Sequence, residues 1–175
     1  MITRLSRASI VVLGVFAVLI VIAAVRSAYF PLKQQETFSK AFTLTLEDMN
    51  GNPVRLLGYE NKIVIAYAWA SWCPYCAKEL QDLSKIKTDY GDKVQIVAIN
   101  RAEDKATAAA YIASLTNVSG IVFLLDPTDS FFKSVGGYAM PETIFVQRSG
   151  QVAFHQHGPI TYDQVSQELE KLLGH

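Results

Sequence analysis

The chain has 175 residues, half of them hydrophobic, and its 16 Lys+Arg balance 16 Asp+Glu to a formal net charge of zero. That length holds one domain plus an appendage, and the absent net charge removes the basic footprint that nucleic-acid binding needs. Only two cysteines are present, Cys73 and Cys76, which excludes a disulfide framework, and a bridge over so short a loop closes little chain entropy.

Ala8 to Val25 carries no charge and is almost wholly apolar. As a helix these residues span about 27 Å at ~1.5 Å per residue, close to a bilayer core of about 30 Å. Arg4 and Arg7 precede the run and Arg26 and Lys33 follow, a weak bias that favours the N-terminus inside and the rest of the chain outside the cytoplasm. Residues 1–28 are therefore expected to be an N-terminal membrane anchor. A cleaved signal peptide is the alternative, with a small-residue site at Val21-Ile22-Ala23, although the apolar run exceeds the usual ~7–15 residues. Residues 29–40, with Pro31 and a polar run, read as a linker, and 41–175 as the folded domain.

From Ala41 the pattern alternates: Phe42, Leu44 and Leu46 against Thr43, Thr45 and Glu47, which is strand periodicity. Asn50-Gly51 signals a turn, and Val54 to Leu57 a second strand. Ile63 to Trp69 is a continuous apolar run that suits a strand buried on both faces. A helix follows, with Pro74 in its first turn, an apolar stripe of Cys76, Leu80, Leu83, Ile86 and Tyr90, and Gly91 at its end. Val94–Ile99 reads as a strand, 104–116 as an alanine-rich helix, Ile121–Leu125 as a strand and 130–135 as a short helix. Thr143–Gln147 and Gln151–Gln156 form a hairpin around Ser149-Gly150, and Thr161 with Gln164 makes a capping box for a last helix. Strands alternating with helices predict an α/β sheet with helices on both faces.

Cys73-Pro74-Tyr75-Cys76 lies where a buried strand ends and a helix begins. The unsatisfied N–H groups and positive dipole end of a helix N-terminus stabilise a thiolate, so the first cysteine is expected to be reactive and exposed at the helix start. Cys73 is then the attacking thiol and Cys76, one turn further in, the resolving thiol. Trp72 forms an apolar shoulder. At ~100° per residue Glu79 falls inside the apolar stripe one turn below Cys76, where desolvation raises a carboxyl pKa and suits it to pass protons to and from Cys76. Lys87 falls on the same stripe and snorkels near the helix end. Half a zinc site is the competing reading of the cysteines, but a zinc site needs about four ligands and there is no second CxxC. His155 and His157 lie two apart on one strand face; they read as solvated strand histidines, and no metal site is expected. No cofactor is expected beyond the Cys73–Cys76 disulfide.

The segment Trp69-Ala-Ser-Trp-Cys-Pro-Tyr-Cys-Ala-Lys-Glu-Leu80 resembles the active site of membrane-anchored thioredoxin-like proteins of the TlpA, ResA and DsbE kind. Phe42-Thr-Leu to Asn50-Gly-Asn-Pro-Val54 is similar to the N-terminal hairpin this group adds to the thioredoxin fold, and Gly137-Tyr-Ala-Met-Pro-Glu-Thr143 to its cis-proline loop, closest to the cytochrome c maturation branch. The resemblance implies a thioredoxin-like α/β domain with an added β-hairpin. It implies that Cys73 attacks, Cys76 resolves and Glu79 is the acid kept beneath the second cysteine. It places Pro141 opposite the cysteines in cis, and Trp72, Pro74, Tyr75 and Met140 at a groove that pairs with an extended substrate segment. The implied partners are disulfide-containing proteins, apocytochrome c among them, a membrane thiol transporter as electron donor, and the bilayer through residues 8–25. Two features depart from related patterns. Tyr67 stands where ordinary thioredoxins carry a buried aspartate, and Pro74-Tyr75 is the glutaredoxin dipeptide.

The residues leave other functions open. A disulfide oxidase or isomerase would use the same fold. A copper-handling metallochaperone would use Cys73, Cys76 and Met140, though its wider CxxxC pair and nearby histidine are missing. A peroxidase would lack the CxxC, and a non-catalytic binding module would not need it.

Overall fold

The computed structural model describes residues 7–59 and 61–174, with side chains for 13–29, 41–56, 58–59 and 61–174. The chain divides into two compact units, 1–36 and 37–175. The first is helical: α1 covers Arg7–Phe42, and from Leu13 to Val25 its large apolar side chains are exposed. The expected anchor, 8–25, lies partly outside the described side chains. Among the described residues no helix is long and apolar enough to cross a membrane. The segment 29–40, expected as a linker, is helical instead. Its polar run, Leu32-Lys-Gln-Gln-Glu, consists of straight-chain residues that lose little rotamer freedom in a helix.

The second unit is built on a seven-stranded sheet of β1 (Thr45–Asp48), β2 (Pro53–Arg55), β3 (Ile63–Trp69), β4 (Val94–Arg101), β5 (Ile121–Asp126), β6 (Glu142–Val146) and β7 (Val152–His157), ordered β2-β1-β5-β4-β3-β6-β7. Strands β3, β4 and β5 are parallel, and the pairs β1–β2, β1–β5, β3–β6 and β6–β7 are antiparallel. The helices are α2 (Cys76–Tyr90), α3 (Lys105–Ser114), α4 (Ser130–Ser134) and α5 (Tyr162–Leu173). β3 is buried at every position, because β4 and β6 flank it and side chains cover both faces. On one face Ile63, Ile65, Tyr67 and Trp69 pack with Leu80, Leu83 and Ile86 of α2, Ala108 of α3, and Val165 and Leu169 of α5. On the other, Val64, Ala66 and Ala68 pack with Phe42, Leu56, and Phe131 and Phe132 of α4.

Two expected boundaries shift. Phe42 is not in the first strand; it ends α1 and is buried edge-to-face on Phe131 at 5.9 Å. A turn closed by the Leu44 N–H on the Ala41 carbonyl separates it from β1. β2 ends at Arg55 rather than Leu57, because the chain enters a 3₁₀ turn that buries Leu56. The Asn50-Gly51 turn forms as expected: Asp48 accepts the Asn50 and Asn52 N–H groups, and Gly51 takes φ +85°. Thr161 and Gln164 form the reciprocal capping box at α5. Lys87 donates to the carbonyls of Gly91 (2.8 Å) and Val94 (3.0 Å), capping the end of α2.

Candidate active site

β3 ends at Trp69, and a turn over 70–75 delivers Cys73 and Cys76 to the start of α2. The Cys73 N–H donates to the Ala70 carbonyl, and the Cys76 N–H to that of Cys73. α2 thus begins at Cys76, with Pro74 in the preceding turn. The two cysteines form a disulfide with Cα atoms 5.5 Å apart. Cys73 was expected at an exposed position, but it is only 2 % exposed and Cys76 is fully buried. The outward surface is carried by Trp72 (60 % exposed), Pro74 and Tyr75. The aromatic neighbours stand out into solvent while the sulfurs sit against the core.

A carboxylate network that motif reading missed holds the turn. Glu103 accepts from the Ser71 N–H (2.9 Å), from the Ser71 hydroxyl and from the Asn100 side-chain amide (2.6 Å). The end of β4 is thereby tied to the residue two before Cys73. Asn100 is fully buried, and a buried apolar strand ending in Asn-Arg-Ala-Glu is the only signal the sequence offers for this contact.

Glu79 is 5 % exposed, inside the apolar stripe as its spacing required. Its Oε1 accepts the Ile160 N–H at 3.3 Å. Burial pushes its pKa up to about 7, against the lowering effects of the Ile160 N–H and the Tyr67 hydroxyl. Tyr67 is fully buried and faces this carboxyl. Burial first and the Glu79 charge second hold the phenol well above its ordinary value of 10. Neither Glu79 Oε2 nor the Tyr67 hydroxyl makes a hydrogen bond of good geometry. Glu79 also lines a groove of about 440 Å³ with Pro74, Tyr75, Lys78, Ile160 and Tyr162, an opening between the buried carboxyl and solvent.

The Met140–Pro141 bond is cis. Met140 is half-buried and Pro141 buried. Glu142, immediately after, is fully buried; its Oε1 accepts the N–H groups of Tyr138 (2.8 Å) and Ala139 (2.9 Å). His155 and His157 are not the solvated strand histidines expected: each places a ring nitrogen 2.7 Å from Oε2 of Glu142. The cross-strand register, with Glu142 opposite His157, brings them to a buried partner that the spacing of the histidines does not reveal.

A buried dithiol or disulfide with a protonatable carboxyl one helical turn behind it can exchange disulfides and move the accompanying proton. The comparisons agree with that chemistry. The family model described as Redoxin matches residues 33–173. The chain is 26 % identical over 137 residues to the thiol-disulfide oxidoreductase ResA of Geobacillus thermodenitrificans, covering 77 % of this chain and 76 % of that one. It is 28 % identical over 109 residues to the thiol:disulfide interchange protein DsbE of Haemophilus influenzae, covering 62 % and 58 %. In structure it is similar to the exposed lipoprotein thioredoxin Etrx1 of Streptococcus pneumoniae, with a TM-score of 0.66 at 24 % identity over 74 % of this chain and 98 % of that one. This likeness shows a thioredoxin-like fold.

Proposed function

The chain belongs to the Redoxin family and is a thiol–disulfide oxidoreductase, and from that premise we propose that it reduces disulfides of protein substrates outside the cytoplasm through Cys73 and Cys76. The observation that carries this reading is the cysteine pair one helical turn ahead of the buried Glu79, whose carboxyl burial pushes up to about 7 so that it can take and return a proton at working pH.

In the reduced enzyme the Cys73 thiolate attacks one sulfur of a substrate disulfide. A Cys73–substrate bond forms, the substrate S–S bond breaks, and the first substrate thiolate leaves and takes a proton from water. Glu79, as carboxylate, accepts the Cys76 proton. The Cys76 thiolate then attacks Cys73 Sγ and expels the second substrate thiolate, which also takes its proton from water while Glu79 keeps the one from Cys76. The substrate gains two electrons and two protons, and the enzyme is left as the disulfide seen here. A thiol donor restores the dithiol by the reverse exchange, with Glu79 returning the proton. Trp72, Pro74, Tyr75, Met140 and Pro141 form the substrate groove, and an extended segment lies against the Met140–Pro141 loop by backbone pairing. Residues 8–25 serve as a single-pass anchor, which the uncharged apolar run supports. That arrangement places the catalytic unit on the outer face of the cytoplasmic membrane, where disulfides form and persist and a membrane thiol transporter supplies electrons. Apocytochrome c is the proposed substrate, and the resemblance of 137–143 to the cytochrome c maturation branch supports it.

The test is to trap the intermediate. In Cys76→Ser the mixed disulfide between Cys73 and a substrate cannot be resolved and accumulates as a reductant-sensitive adduct. In Cys73→Ser no adduct forms. Adducts through Cys76, or full activity of Cys73→Ser, would overturn the assignment.

A further inference from the structure

On the sheet face away from Glu79, the histidines and Glu142 make a second cluster that the disulfide chemistry does not use. Glu142 and His157 are paired across β6 and β7, and His155 lies two residues along on the same face. Nε2 of His155 and Nδ1 of His157 both approach the same oxygen, Oε2 of Glu142, at 2.7 Å, and the three atoms lie within 4.8 Å of one another. The imidazole rings are 4.0 Å apart. The His155 contact is a formed hydrogen bond. The Nδ1 of His157 is buried and, although 2.7 Å from Oε2, makes no hydrogen bond of acceptable angle. A buried ring nitrogen left without a hydrogen bond is unfavourable, so its position calls for a further ligand.

We propose that Glu142, His155 and His157 form a binding site for a divalent first-row transition metal of the Zn²⁺ class. Two imidazoles and one carboxylate are a donor set that suits such ions. Bonds of about 2.0–2.2 Å in tetrahedral geometry need the Oε2–nitrogen separations to open from 2.7 Å to about 3.4 Å, a movement of less than about 1 Å. The carboxylate is oriented for the task. Its other oxygen is held by the Tyr138 and Ala139 N–H groups, the kind of outer-shell support that fixes metal ligands. Access is from the His157 side, whose side chain is 30 % exposed beneath the Tyr138 ring at 4.2 Å. A bound ion ties β7 to the carboxylate that holds the loop ahead of Pro141, linking metal occupancy to the cis-proline loop.

The test uses the full chain in detergent with Cys73–Cys76 oxidised, so that no thiolate competes. Zn²⁺ is titrated calorimetrically, and Co²⁺ is followed by visible absorption. The expected result is one Zn²⁺ per chain, with Co²⁺ bands free of thiolate charge transfer. His155→Gln and His157→Gln should each weaken binding by at least ~100-fold, the upper end of what losing a mere outer-shell partner costs. His175→Gln, the remaining histidine, should leave it unchanged. Failure of the wild-type chain to bind one equivalent, or undiminished binding in both histidine variants, would overturn the proposal. Should either variant lose its folded circular-dichroism spectrum, the wild-type Co²⁺ spectrum decides: nitrogen–oxygen coordination supports the site, and absence of d–d bands refutes it.

Discussion

Glu79 is the residue on which the proposed chemistry turns, and its environment makes two measurable demands. Its folded carboxyl titrates near 7 against an ordinary 4.5. Between those values the folded chain binds more protons than the unfolded chain, so its stabilising contribution is full below about pH 4.5 and is lost as pH rises through 7. The expected loss is about 3 kcal/mol, since each tenfold change in proton affinity is worth ~1.36 kcal/mol. Glu79→Gln should remove that slope, so that denaturant unfolding of the variant at pH 8 shows higher stability than wild type. The same substitution should slow disulfide exchange on the order of 10² and abolish the inflection near pH 7 in its rate, as expected for a lost proton carrier; an unchanged profile would leave Glu79 with a packing role only. The burial of Glu79 was legible because helical spacing alone puts it on the stripe. Its contact with Tyr67 was not, because that contact joins a strand to a helix and no local period encodes it. The burial of Cys73 was missed for a related reason: chain position marks the start of a helix but not the core side chains packed around the turn that precedes it.

At the scale of elements, hydrophobic period and punctuation carried most of the second unit. β3 matches its apolar run from Ile63 to Trp69, Gly91 follows α2, and Thr161 caps α5. What eluded the period were segments where two patterns compete. The alternation around Phe42 mimics a strand, yet Ala41 and Phe42 are buried as the last residues of α1. Phe42→Ala should therefore cost about 3–5 kcal/mol in denaturant unfolding, as a fully buried phenylalanine does, whereas an exposed strand residue would cost little. The turn that carries Cys73 depends on a contact between elements. Glu103→Ala leaves the Ser71 N–H and the buried Asn100 amide without an acceptor, at about 1–3 kcal/mol each. It should slow exchange through Cys73 while leaving the thiols titratable. Full wild-type exchange rates in a destabilised Glu103→Ala would show that the network supports the fold without positioning the cysteine.

The whole molecule joins an apolar N-terminal unit to a compact redox unit, and the two make separable demands. A chain beginning at Thr37 keeps all of the second unit, including Ala41 and Phe42. It should reduce a model disulfide in solution at the rate of the intact chain while losing resistance to alkaline extraction from membranes. Retention of the shortened chain in the membrane fraction would place the anchor elsewhere. The central claim, that the Cys73–Cys76 pair delivers electrons to substrate disulfides, is tested most directly by its reduction potential. The full chain is equilibrated in graded thiol–disulfide buffers and its free thiols are trapped and counted. Thioredoxin-like reductants lie near −270 mV and a strong oxidant such as DsbA near −120 mV. A reductant fed by a membrane thiol donor should give a value below about −220 mV, and a value above about −150 mV would make this an oxidase or isomerase and contradict the reductive role.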